Sequence, residues 1–202
     1  MIFTYTTNPD DIIAAKHLLY DFYIKRMGWQ FPKDTPTGWT IKEVNGQNIL
    51  DDCYHDTSRW YIGRQDGKVE TCLRVLRKTA ESPLDVEHYN ATPAFKAFLA
   101  QPAQYAEINR FGFFYEEHIL YYMLNFWTRI LEDALREGWT LVVTNGFGDS
   151  ERFARVGLSP IPDATFKYHP DDTNTVSTFG IPTADIPRIL KNCRQILHSM
   201  EG

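Results

Sequence analysis

Apolar and polar positions follow two periods along this chain, and the changes of period mark out its elements. Ile2 to Tyr5 alternates and is rich in β-formers, which predicts a short first strand. Asn8-Pro9-Asp10-Asp11 is a helix start: a capping Asn, a Pro in the first turn and two acids near the positive end of the helix dipole. Ile12, Ala15, Leu19, Phe22, Tyr23 and Arg26 then recur at helical spacing, with Gly28 as the stop. Two alternating runs, 59–64 and 69–76, flank Asp66-Gly67, a hairpin turn signal. Thr92-Pro93 opens a short helix through Leu99, and 105–114 reads as a strand leading into the longest helix. The stripe of that helix is Ile119, Met123, Phe126 with Trp127, Ile130 and Ala134, and Gly138 ends it. Leu141 to Val143 is a continuous apolar run, so the strand 140–145 is expected to be buried on both faces. A short helix (150–156), two strands (165–169 and 175–181) and a last helix with Ile186, Ile189, Leu190, Cys193 and Leu197 inward complete the order.

This is the pattern of one α/β domain over residues 1–202, built on a mixed sheet. A helical crossover joins the two central strands, which should lie parallel. The stretch from Trp29 to Asp56 carries no clear period. With Trp29, Phe31 and Trp39 among its prolines and glycines, it reads as a long loop packed over a site as a lid, or as a partly ordered loop.

The formal net charge of −5 argues against nonspecific nucleic-acid binding, which needs a basic surface. Cys53, Cys72 and Cys193 are too few and too far apart for a disulfide framework or a zinc site, and fit buried or inert thiols in a reducing cytoplasm. No signal peptide and no run long enough for a membrane span is present, and the six histidines lack metal-ligand spacing, so no metal site is expected.

The candidate chemistry lies in Tyr105-Ala-Glu-Ile-Asn-Arg-Phe-Gly-Phe-Phe114. It puts two charges, Glu107 and Arg110, into a strand otherwise suited to burial. Such groups go inside when paired, either as a structural ion pair or as the working groups of a site. Three residues apart on a regular strand they face opposite sides, so a shared pocket requires a bulge, and Gly112 could help the strand bend.

Several segments, in order, resemble those of the acyl-homoserine-lactone synthases, or autoinducer synthases. They are Arg26-Met-Gly-Trp29, Asp52-Cys-Tyr-His55 with Trp60-Tyr-Ile62, and Gly67-Lys-Val69 with Leu73-Arg-Val-Leu76. Glu107-Ile-Asn-Arg-Phe111, Val143-Thr144 and 151–157 follow, and together they span about three quarters of the chain. The resemblance implies a GNAT-like three-layer fold: a twisted mixed sheet with helices on both faces and a splay between two parallel central strands. It implies transfer of a fatty acyl group from acyl carrier protein to the amine of S-adenosylmethionine, which is a substrate, so no cofactor is required. Lactone closure then releases methylthioadenosine. By the same resemblance Glu107 is the proton acceptor and Arg110 its partner. Arg74 and Asp52 hold the carboxylate and ammonium of the donor, with His55 beside them, and Tyr23 and Trp29 cover its adenosyl group. Phe111, Phe113, Met123, Trp127, Val143 and Thr144 are the candidates for the acyl tunnel. Arg152 and Arg155 would be the landing patch for the acidic carrier protein, or simply a solvated basic face.

The chain departs from the family's pattern. Leu19 stands where the family has an arginine, Tyr23 where it has another aromatic, His55 in place of an acid and Asn109 in place of a serine. The altered first helix and His55 favour a related N-acyltransferase acting on another amine, such as an amino acid. A third possibility is a non-catalytic protein that keeps the fold and binds an acyl or nucleotide ligand. The chain also lacks a Gly-rich pyrophosphate cradle at the start of the long helix, where Glu116 and Glu117 would repel coenzyme A phosphates. That points to a protein-borne acyl group.

Overall fold

The computed structural model describes residues 1–30, 35–54, 57–145, 153–154, 156–168, 173 and 175–201. Seven strands form one sheet in the order β1-β4-β5-β6-β7-β9-β8, and β2 and β3 form a separate two-stranded sheet. The strands are β1 Ile2–Thr6, β2 Thr40–Val44, β3 Gln47–Asp51, β4 Ser58–Gln65, β5 Lys68–Arg77, β6 Gln104–Phe113, β7 Trp139–Asn145, β8 Pro160–Phe166 and β9 Val176–Ile181. The helices are α1 Pro9–Tyr20, α2 Pro93–Leu99, α3 Ile119–Glu137 and α4 Ile186–Glu201. The sheet is mixed, as expected: β6 and β7 are parallel, and β1/β4, β4/β5, β7/β9 and β8/β9 are antiparallel. The parallel ladder runs from Gln104↔Trp139 to Ile108↔Val143 and stops there, although β6 continues to Phe113 and β7 to Asn145.

The chain divides into two compact units, Met1–Leu76 with Asn109–Phe126, and Arg77–Ile108 with Trp127–Gly202. In the first unit, α1 starts as its sequence predicts. The Asn8 side chain accepts from the Asp10 N–H at 2.9 Å, and Ala15, Leu18 and Leu19 turn inward onto Leu50, Trp60, Ile62 and Cys72. After Tyr20 the helix widens into a π-helical turn, Asp21–Arg26, and ends at Gly28 with φ 66°. A second cluster joins Phe22, Phe113 and Tyr122, with Phe3 and Phe111 packed against it.

The long loop expected between Trp29 and Asp56 instead contains a hairpin, β2–β3, over residues 40–51. Its turn is Asn45-Gly46, both at positive φ (52° and 75°), as a two-residue primed turn requires. That dipeptide was the signal to read.

In the second unit, Leu84, Val86, Phe95, Tyr105, Val142, Ala164, Phe166 and Val176 form the core. The Tyr105 hydroxyl donates to the Phe98 carbonyl at 2.6 Å, which ties α2 to β6. On β9, a Cβ at Gly180 would come within 2.5 Å of the Phe98 ring, so only glycine fits that contact. The long helix is phased slightly differently from its predicted stripe. Tyr122, Leu124, Phe126, Trp127, Ile130, Leu131 and Ala134 are buried, while Ile119 and Met123 are half-buried. Of the cysteines, Cys72 and Cys193 are buried and their thiols are pushed up by burial, Cys193 to about 12, but Cys53 is exposed.

Candidate functional site

The first unit contains a small cavity of about 10 Å³ lined by Lys16, Leu19, Trp39, Leu50, Asp51, Asp52, Trp60, Arg74 and Arg110. That is room for one water or one ligand oxygen. The fold assembles it from six places, with Trp39 standing just before β2. Lys16 and Leu19 stand three apart on α1 and so share a face. Leu50 and Asp51 end β3, and Asp52 follows. Trp60 and Arg74 are register partners on β4 and β5. Arg110 comes from β6.

Arg74 is 2% exposed and is the hub of the group. Its Nη1 donates to both Asp52 oxygens at 2.8 and 2.7 Å, and its Nε donates to Asn109 Oδ1 at 3.0 Å. The guanidinium lies 5.5 Å from the Tyr54 ring centre and 5.7 Å from that of Trp60. Among the described residues its Nη2 has no hydrogen-bond partner.

Arg110 Nε lies 3.9 Å from Asp52 Oδ2, and its guanidinium carbon sits 3.6 Å from the centre of the Trp39 ring. Asp52 is therefore pulled in two directions. Burial pushes its carboxyl up, but the charges of Arg74 and Arg110, the Arg74 hydrogen bond and the Tyr54 N–H together hold it below the usual carboxylate range. It stays an anion inside the protein.

The strand geometry that permits this is irregular. Asn109 and Arg110 are consecutive, yet one binds Arg74 and the other approaches Asp52. Neighbours on a regular strand point to opposite faces. Arg110 breaks the alternation by taking φ 56°, the left-handed region, within β6. Such strain in a residue with a Cβ marks functional segments more often than ordinary strands. The bend expected near Gly112 thus falls on Arg110. Gly112 serves close packing instead, since a Cβ there would lie 2.8 Å from Leu19.

Glu107 falls in the second unit, and there it is 1% exposed. Its Oε2 accepts the Val86 N–H at 3.1 Å, in the helical turn Asp85–His88. Tyr23 and Trp29 do come together, at 4.5 Å between ring centres, and the Tyr23 hydroxyl donates to the Phe111 carbonyl at 3.2 Å. The tunnel candidates divide between the units. Phe111, Phe113 and Met123 belong to the first, where Phe111 and Phe113 sit 5.3 Å apart. Trp127, Val143 and Thr144 belong to the second, where the Thr144 hydroxyl is 3.2 Å from that of Tyr168. His55, Arg152 and Arg155 lie outside the described residues.

Lys16 and Asp51 were not picked out from the sequence, while Trp39 was named only as an aromatic of a lid and Trp60 only within a motif. For Lys16 the only signal was its helical spacing from Leu19, and for Asp51 its place directly before Asp52.

No protein-family model and no curated protein sequence matches the chain. Solved structures do. FeeM, an N-acyl amino acid synthase from uncultured soil microbes, superposes with a TM-score of 0.66 at 11% identity, over 92% of this chain and 97% of its own. MesI, a CoA-dependent acyl-homoserine lactone synthase, gives 0.65 at 16% identity, over 98% and 95%. TofI, solved in a ternary complex with an inhibitor and MTA, gives 0.62 at 19% identity, over 95% and 97%. The fold is that of the acyl-homoserine-lactone synthases and N-acyl amino acid synthases, a GNAT-like α/β fold. The expected fold class is met, and identities this low speak to fold alone.

Proposed function

We propose that this chain is an N-acyltransferase of the acyl-homoserine-lactone synthase type. It moves a fatty acyl group from a carrier-protein thioester to the amine of S-adenosylmethionine, and lactone closure follows with loss of methylthioadenosine. The observation that carries the proposal is the ionised Asp52 held between Arg74 and Arg110 where it lines a small cavity. An anion and an arginine with a spare donor, side by side, suit the ammonium and carboxylate of one amino-acid head group. A thioester is already activated, so the remaining work is to orient the amine, remove its proton and stabilise an oxyanion. In this reading Glu107, three residues before Arg110, takes the proton. Tyr23 and Trp29 cover the adenosyl group, and the aromatic side chains around Phe111 and Phe113 receive the acyl chain. The exposed Glu116 and Glu117 support a protein-borne acyl donor, although Glu116 is paired with Arg26 at 2.9 Å.

A second reading, transfer to an amino acid, draws on the size of the cavity. At about 10 Å³ it holds no part of an adenosyl group without opening, and a small amino acid asks for less movement. Incubation with acyl carrier thioester and S-adenosylmethionine, followed by mass spectrometry, separates the two. N-acyl-homoserine lactone with methylthioadenosine supports the first. An N-acyl amino acid formed from a mixture of amino acids supports the second. A thioester left intact with every amine rejects both, in favour of a ligand-binding protein.

A further inference from the structure

We infer that Lys16 is a further substrate-binding residue, a second cation placed beside Arg74 to take the carboxylate of the amine substrate. The inference rests on the acyltransferase reading above and adds a residue to its site. Lys16 projects from α1 into the cavity with its side chain 13% exposed. A buried ammonium needs a partner, and Lys16 has one in Asp51 Oδ1, at 2.6 Å.

Asp51 is held twice. Lys42 Nζ binds its other oxygen, Oδ2, also at 2.6 Å. The two lysines differ in place: Lys42 is 54% exposed and does not line the cavity, whereas Lys16 does. One ammonium neutralises one carboxylate. Lys42 can therefore keep Asp51 satisfied from outside while Lys16 serves a ligand from within. Nor does Lys16 have to let go, because an ammonium has three donors.

Arg74 Nη2, buried and without a hydrogen-bond partner among the described residues, supplies a second donor on the same cavity. A carboxylate bound between the two meets two cations next to the indole walls of Trp39 and Trp60, where reduced solvent screening strengthens the attraction. The size of the cavity and its two acids select this class of anion. There is room for one carboxylate oxygen, and a dianionic phosphate would be crowded and repelled by Asp51 and Asp52.

The test is a binding titration that needs no turnover. Trp39 and Trp60 line the cavity, so tryptophan fluorescence is read against S-adenosylmethionine and each standard amino acid, then against the carboxamide of whichever quenches. Lys16→Met is expected to weaken the acid at least tenfold and leave its carboxamide within about twofold. Lys16→Arg should hold within about threefold, and Lys42→Met, which leaves Asp51 to Lys16 alone, should weaken the acid by less than Lys16→Met does. Where thermal melting finds Lys16→Met unfolded, Lys16→Gln takes its place. Wild-type affinity in the Lys16 variant overturns the inference. So does equal loss for acid and carboxamide, equal loss in Lys42→Met, or no acid that quenches the wild type. Failure of the acyltransferase reading looks different: the acid binds with the expected pattern and no N-acyl product forms.

Discussion

Two buried carboxylates, one in each unit, show how differently the same chemical group can be held. Asp52 accepts one backbone N–H, from Tyr54 at 3.1 Å, and is otherwise set among side chains: two arginines, with an indole and a phenol ring close to them. Glu107 accepts a backbone N–H at the start of a helical turn and is 1% exposed. Side-chain partners can rotate and exchange for a ligand, while a backbone donor is fixed by the fold. Asp52 therefore has the surroundings of a binding group. Glu107 has a bond that would also suit a structural acid, and its catalytic role has to be established by turnover.

The largest expected effect tests that asymmetry from the Glu107 side. Glu107→Gln keeps the shape and an oxygen for the Val86 N–H but cannot take a proton. Turnover should fall by about 10²–10⁴-fold, the range for loss of a general base, with little change in melting temperature. Unchanged turnover with a lowered melting temperature would make Glu107 structural.

Next in size is Asp52→Ala, which leaves Arg74 buried without its carboxylate. Removing one partner of a buried pair costs about 3–5 kcal/mol, read as a shift in denaturation midpoint. A loss of under about 1 kcal/mol would mean that the pair is not buried as described.

Smaller still is a backbone effect at Arg110. Arg110→Gly and Arg110→Ala both remove the guanidinium, but only glycine adopts φ 56° freely. The glycine variant should be more stable by about 1–2 kcal/mol. Equal stabilities would remove the case for strain in β6.

The smallest effect is in the pH profile. The carboxyl of Asp52 is held below its ordinary value in the folded protein, so its stabilisation is complete above the unfolded value of about 3.9 and lost as pH falls through the folded one. Wild type should therefore lose stability more steeply than Asp52→Asn on acidification below about pH 4. Parallel curves would contradict the shift.

Most strands, the four helices and the parallel central pair were legible from periodicity, because burial on one face imposes its period on the residues, but the strand expected at 165–169 runs Pro160–Phe166 instead. The β2–β3 hairpin was not: Thr40–Val44 is mostly exposed and carries no buried face to show as alternation. Of the site, Asp52, Arg74 and Arg110 were legible through motifs. The irregularity that lets Asn109 and Arg110 serve one ion pair was expected only as a bulge of unknown position. No local pattern marks an arginine for positive φ. Lys16 and Trp39 reach the cavity through tertiary packing, and a single sequence does not encode that as a spacing.

The central claim is that an amine substrate docks at the Asp52–Arg74 pair and receives an acyl group. Free carrier thiol is followed as purified protein meets acyl carrier thioester, with and without S-adenosylmethionine or an amino-acid mixture, while N-acyl product is counted by mass spectrometry. The account predicts thiol release that depends on the amine, matched one for one by amide, and lost in Arg74→Met. Release that ignores the amine, or none with any amine offered, would contradict it.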